Sequence, residues 1–236
     1  MIYAVGDIHG HLDKLDHALA LIEADGGADV PVVFLGDLVD RGPASAQVIQ
    51  RLIDGRAAGR DWTVILGNHD QLFLDFLHDG SIWSEHIKSG LSWLNPRMGG
   101  DTTLASYGVT ASEAEPALAA ARAAVPEAHV AFLRGLPRLH QRGDLLFVHA
   151  GIDPRKPLEW QDPVDLIWIR DPFLTYRDPL PWLVVHGHSA MEYPEHCGNR
   201  VNLDGGAGRG RALVPAVIEG RDVAVLTDAG RVALGP

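Results

Sequence analysis

Ala4-Val5-Gly6-Asp7-Ile8-His9-Gly10, Phe34-Leu35-Gly36-Asp37-Leu38-Val39-Asp40-Arg41-Gly42 and Ile65-Leu66-Gly67-Asn68-His69-Asp70 repeat one design. In each, an apolar strand runs into a glycine, and a metal-binding type of side chain follows. The three stretches lie about thirty residues apart, the length of one βαβ unit. Neighbouring parallel strands end on one shared edge, where ligands collect. Asp7, His9, Asp37, Asn68 and His69 are therefore expected at one site. Carboxylate, imidazole and amide oxygen together make a metal centre in outline. A single Gly-Asp can be explained as a turn; three in phase, with His and Asn at matching offsets, cannot.

The segments between them fit that plan. Leu12, Leu15, Leu19 and Ile22 recur at helical spacing up to Gly26-Gly27. Val48, Ile49, Leu52 and Ile53 do so again, after Pro43 and before Gly55. With strands at Ile2–Val5, Val32–Leu35 and Trp62–Leu66, the order is βαβαβ, as a layered α/β sheet requires. Residues 71–134 read as mostly helical, with helices at Gln71–His78 and Ser112–Ala124 around an irregular insert, Trp93-Leu94 and Gly99–Gly108. Strands return at Leu145–Val148 and Leu183–Val185. Val201–Leu203, Leu213–Ile218, Val223–Thr227 and Arg231–Leu234 are expected as an antiparallel series. The expected fold class is α/β, a layered sandwich of two mixed β-sheets flanked by helices, and residues 1–236 are read as one domain.

Composition narrows the classes. A chain of 236 residues, 46% hydrophobic and 22% charged, can bury a substantial core. No apolar run is long enough to span a bilayer. Strand 1 starts directly after Met1, which predicts no signal peptide. The single cysteine, Cys197, forms no intrachain disulfide and suits a cytoplasmic location. A net charge of −11 argues against nucleic acid or an anionic membrane as partner. Two bound cations would offset part of that charge and draw an anionic substrate locally.

His149 and His188 each follow a further apolar strand and stand beside a small residue, bringing the constellation to five strand ends. The set supplies two metal positions. Asp7 and His9 would hold one ion, Asn68, His149 and His188 the other, and Asp37 would bridge them. Two ions about 3.5–4 Å apart can activate a shared water and clamp an in-line displacement at phosphorus.

The three opening stretches resemble the signature blocks of the metal-dependent phosphoprotein phosphatase family, within the calcineurin-like metallophosphoesterases. The resemblance continues through Phe147-Val148-His149-Ala150-Gly151, Trp168-Ile169-Arg170-Asp171, Gly187-His188-Ser189 and Asn202-Leu203-Asp204-Gly205-Gly206-Ala207, and covers nearly the whole chain. The insert around Trp93, Gly99-Gly100 and Ser106-Tyr107-Gly108 is similar to the small bacterial members. The resemblance implies the calcineurin-like fold and the same six ligands. It also implies His69 as the acid that protonates the leaving oxygen, with Asp40 orienting its imidazole. Arg41 and Arg170, with Asn68, are implied to hold the phosphate; guanidinium supplies a bidentate fork that ammonium lacks.

Two positions depart from the eukaryotic protein phosphatases. They usually carry glutamate where Asp70 stands; aspartate there also occurs in the symmetrical dinucleoside tetraphosphate hydrolases, which typically lack the Asp40 equivalent and are longer. Ala190 stands where phosphodiesterase and nuclease branches often place a second histidine, which argues against nuclease activity.

The expectation is hydrolysis of phosphate monoesters, on phosphoserine or phosphothreonine of a protein or on a small phosphate ester, by in-line attack of a metal-bridged hydroxide. Manganese and iron are the favoured metals, with zinc as a further option. The alternative is symmetrical dinucleoside tetraphosphate hydrolysis. A phosphate-binding module without turnover would require a missing ligand or acid, and none is missing. His11, His17, His78, His86, His129, His140 and His196 match no block and are read as surface or structural. The sequence leaves open whether His186 touches the site, since the resemblance puts the ligand at His188; the six tryptophans are read as core and rim packing, with Trp168 as a brace for Arg170. The sequence does not fix the oligomeric state.

Overall fold

The computed structural model describes residues 1–236. β1 (Ile2–Val5), α1 (Leu12–Gly26), β2 (Val32–Phe34), α2 (Ser45–Ala57), β3 (Trp62–Val64) and α3 (Asn68–Asp79) form the expected βαβαβ run with its third helix. β1 pairs in parallel with β2, and β2 with β3. The middle region then supplies α4 (Gly100–Ser106), α5 (Leu118–Ala124) and α6 (Glu127–Arg134). β4 (Leu139–Arg142), β5 (Leu145–Val148), α7 (Asp165–Trp168), β6 (Leu183–His186), β7 (Glu195–His196) and β8 (Arg200–Asn202) follow. β9 (Ala216–Glu219), β10 (Asp222–Thr227) and β11 (Gly230–Ala233) close the chain.

The strands form two mixed sheets. One has the order β11-β10-β9-β1-β2-β3, the other β4-β5-β6-β8-β7. The central strands β1, β2, β5 and β6 are buried on both faces, which explains why they read as unbroken apolar runs. Alternation along each strand sorts the side chains. Ile2, Ala4, Val33 and Leu35 meet Leu145, Phe147, Leu183 and Val185 in a core between the sheets. Tyr3, Val5, Val32 and Phe34 face the opposite way, into the helical layer of Leu15, Val48, Leu52 and Phe73. Leu146, Val148 and Val184 point outward from the second sheet, onto Leu166, Ile169 and Phe173.

The structure corrects four expected elements. Val201–Leu203 does not extend the antiparallel series: β8 lies parallel to β6 in the second sheet, and of the expected series only β9, β10 and β11 pair antiparallel in chain order. A strand this short carries no signal of which sheet it joins. The strand expected from Leu213 starts at Ala216, after Pro215, whose nitrogen cannot donate to a ladder. The helix expected from Ser112 starts at Leu118, because Pro116 disfavours helical backbone at Glu115 and Ala117 is left-handed at φ 55°. The insert expected to be irregular contains α4. No helix is long and apolar enough to cross a membrane.

Candidate metal centre

The turns after β1, β2, β3, β5 and β6 open on one side of the paired sheets, and their side chains line a cleft of about 270 Å³. Asp7, His9, Asp37, Arg41, Asn68, His69, Arg170 and His188 all border it, and His149 lies beneath, fully buried. Every residue named from the sequence for the site is thus brought together, with Asp40 as the one buried behind His69.

The backbone is forced to make these turns. Six non-glycine residues have positive φ, and five are His9, Asp37, Asp40, Arg41 and His188, at φ 49–74°. Such conformations cost of order 1–3 kcal/mol each, and they persist where surrounding contacts over-determine them. Two glycines admit the closeness. A Cβ on Gly67 would strike the backbone of Asp37, and one on Gly187 would strike the carboxylate of Asp7.

Two groups of side chains have ligand atoms within 4.8 Å of one another, and Asp37 belongs to both. The first joins His9, Asp37 and His69; the second joins Asp37, His149 and His188. Asp7 stands beside the first, its Oδ2 4.0 Å from His9 Nε2, against 3.6 Å from His9 Nε2 to Asp37 Oδ2. His69 is therefore nearer this group than the sequence suggested.

The imidazoles are set up as neutral ligands. His9 donates from Nδ1 to the carbonyl of Val39 (2.9 Å), and His149 donates from Nδ1 to the carbonyl of Leu35 (2.7 Å). Both Nε2 lone pairs then face the cleft, since a backbone carbonyl fixes the tautomer of a ligating histidine. Burial, with Arg41 second, pushes His9 well below its ordinary value; burial, with His149 and Arg170 next, does the same for His188.

The second group tests whether a cation fits. His149 Nε2 lies 2.9 Å from Asn68 Oδ1 and 3.3 Å from Asp37 Oδ1, so an acceptor nitrogen faces two acceptor oxygens. His188 Nδ1 comes within 2.8 Å of the same Asn68 oxygen, and its Nε2 is buried without a partner. Lone pairs converging in a buried space are stabilised by a shared positive charge. The carboxylates make the same demand. Burial first, then the charges of Asp204 and Asp37, push Asp7 well above the carboxylate range. Burial would raise Asp37 too, but the imidazoles of His149, His69 and His9 outweigh it and hold it low. The donor set fits two cations sharing Asp37.

His69 is oriented from behind. Its Nδ1 donates to Asp40 Oδ2 over 2.5 Å, leaving Nε2 toward the cleft. Asp40 has no solvent exposure and is held in turn by the Trp93 indole N–H (2.8 Å to Oδ2) and the Thr103 hydroxyl (2.6 Å to Oδ1). The Asp40 N–H donates back to Thr103 Oγ1 at 2.8 Å. Arg41 spans the two front imidazoles, 2.6 Å from His9 Nε2 and 3.1 Å from His69 Nε2.

Several residues take places the sequence did not assign. Trp93 and Thr103 had no assigned role in the insert; Gly99-Gly100 at the start of α4, inside a block already matched, is the available signal. Asp204 borders the cleft and accepts from the Gly206 N–H at 3.0 Å. Asp70 is a tie rather than a ligand: it accepts from the N–H groups of Leu38 (2.9 Å) and Gly67 (3.0 Å) and so joins two of the turns. Burial and then the Asp37 charge push it up to about 7. His86, read as surface or structural, lines the cleft. His186 does not reach it; the ring packs on Phe173 and meets Arg200, 3.2 Å away. Trp168 meets His188 and His86 rather than bracing Arg170.

Comparison with known proteins places this geometry. A family model described as calcineurin-like phosphoesterase matches residues 1–213. The symmetrical bis(5'-nucleosyl)-tetraphosphatase of Methylococcus capsulatus is 31% identical over 153 residues, 65% of this chain and 44% of that protein. The chain thus matches less than half the length of this relative. Among solved structures, a candidate diadenosine tetraphosphatase superposes with a TM-score of 0.63 at 20% identity, over 99% of this chain and 93% of that one. The cold-active protein-tyrosine phosphatase of a psychrophilic Shewanella gives a TM-score of 0.62 at 17% identity, over 99% and 80%. At these identities the two structures speak for the fold alone. The expected specific tie to serine/threonine phosphoprotein phosphatases is not what the sequence relatives carry; the broader grouping is. The chain belongs to the calcineurin-like phosphoesterase family.

Proposed function

We propose that this chain is a dinuclear phosphoesterase that cleaves dinucleoside tetraphosphates symmetrically. The observation that carries this reading is the charge of the cleft. Arg41, Lys88, Arg97, Arg170 and Arg209 all border it, in a chain of net charge −11. None of the five is ion-paired with a carboxylate, unlike Arg51 with Asp16 or Arg231 with Asp25, and the acidic groups that share the cleft are Asp7, Asp37 and Asp204 at the metal positions. One phosphate monoester engages one or two such groups; a tetraphosphate offers anionic oxygens to more of them. The named relative supports the same choice.

In this reading Asp7 and His9 hold one ion, Asn68, His149 and His188 the other, and Asp37 both. Manganese or iron suits the ligands best, and zinc is admissible. When bound, the pair supplies an acidified water and positive charge at phosphorus. The chain's own groups do the rest. The guanidinium groups of Arg41 and Arg170 hold the phosphate oxygens in line. Asp40 keeps the His69 Nδ1 proton in place, so that Nε2 can carry the proton delivered to the leaving oxygen. Water adds to an inner phosphorus, the central P–O–P link breaks, and two nucleoside diphosphates leave.

Phosphate monoester hydrolysis, on a phosphoprotein or a small ester, is the second reading, and the 2.5 Å contact of Asp40 with His69 favours it. An alkoxide must be protonated to leave, whereas a nucleoside diphosphate leaves readily. Product analysis with manganese separates the two. Diadenosine tetraphosphate is expected to give ADP alone. ATP with AMP would refute symmetrical cleavage. A phosphothreonine peptide with a kcat/KM tenfold higher, about 1.4 kcal/mol, would establish the second reading instead.

A further inference from the structure

A row of aromatic rings leads out of the site to solvent. It begins at His188, which Trp168 meets edge-on with centroids 6.1 Å apart. Trp168 also meets His86, 5.6 Å away and tilted by 34°. Both Trp168 and His86 border the cleft. His86 sits in the loop between α3 and α4 and is exposed, whereas the next residue, Ile87, is buried and pins the loop. The His86 side chain makes no hydrogen bond within the chain; only its backbone N–H does, to Ser84 Oγ at 3.3 Å. Lys88, two residues on, is one of the unpaired cations.

The size of the cleft says what the row can be for. At about 270 Å³ it falls below the roughly 300 Å³ at which pockets begin to enclose drug-sized ligands. It can take a run of phosphates, so any nucleoside attached to them must lie on the rim. A flat base gains most from an aromatic face there, and the exposed ring of His86, tilted by 34° against Trp168, offers one.

We propose that the outer face of His86, backed by Trp168, seats the base of a nucleoside diphosphate unit whose adjoining phosphate is taken by Lys88. The presence of a nucleoside rests on the polyphosphate reading above; which bond is cut does not enter. A stacked base is sequence-tolerant, since every base offers a π-face. The seat therefore discriminates nucleotides from bare phosphates rather than adenine from guanine.

The test compares binding of ADP and of inorganic pyrophosphate to the manganese-loaded protein by calorimetry, in wild type, His86→Ala and His86→Phe. His86→Ala is expected to weaken ADP on the order of tenfold, the scale of one stacked base, and to leave pyrophosphate within about twofold. His86→Phe is expected to retain ADP. Equal weakening of both ligands, or no change in either, overturns the seat. The two readings fail separately. Selective loss of ADP binding, in a protein that leaves diadenosine tetraphosphate intact, upholds the seat and removes the tetraphosphatase. Cleavage to ADP with no selective loss in His86→Ala removes the seat and upholds the tetraphosphatase.

Discussion

Asp37 contributes to both groups of candidate ligands, and nothing nearby duplicates it. In Asp37→Asn the neutral amide cannot serve two cations. Metal analysis of the purified variant is expected to show markedly fewer ions per chain, together with lost activity; full occupancy would remove Asp37 from the bridging position. Thr103 works at one remove. Thr103→Val keeps the shape but leaves Asp40 Oδ1, which is buried, without its 2.6 Å donor. An unsatisfied buried acceptor costs about 1–3 kcal/mol, and the orientation of His69 loosens with it. The expected outcome is a fall in kcat of roughly tenfold on an alkyl phosphate, a smaller fall on an aryl phosphate, and recovery in Thr103→Ser. A loss independent of the leaving group would show that Thr103 serves stability alone.

At the scale of elements, the site is a set of tight turns, and the sequence announced most of them. Gly-Asp, Gly-Asn-His and Gly-His at the ends of apolar runs were visible because strand, turn and ligand are adjacent in the chain. The Trp93–Thr103 support of Asp40 was not visible, because it is assembled from a loop and a short helix with no periodicity to mark them. Of the second sheet, β5, β6 and β8 were legible as strands, whereas the half-exposed β4 and the two-residue β7 were not, and strands this short carry no partner information from which to read an order. Gly187 illustrates the adjacency. In Gly187→Ala the new methyl would strike Asp7, the turn would shift, and His188 would move with it. Substitution here is expected to lower metal content and activity together while the far-ultraviolet circular dichroism stays native. Undiminished metal content would show that the turn can relax.

For the whole molecule, ion binding by these residues would be coupled to folding. A cation present at a hundred times its dissociation constant adds about 2.7 kcal/mol to the folded state. For a chain of this size that corresponds to roughly 5–10 °C in Tm. Chelation is expected to lower the thermal midpoint by that order, with recovery on adding back manganese; an unchanged midpoint would show that the folded state gains nothing from the ion. The location of the loss follows from topology. Asp37 and Asn68 hang from β2 and β3 of the first sheet, whereas His149 and His188 hang from β5 and β6 of the second. An ion held by all four would act as a rivet through two plates that otherwise adhere through the greasy layer between them. Drawing the rivet frees the plates to part at that end, so amide hydrogen exchange should quicken first in the turns after β2, β3, β5 and β6. The opposite edge, at β10 and β11, should keep its protection.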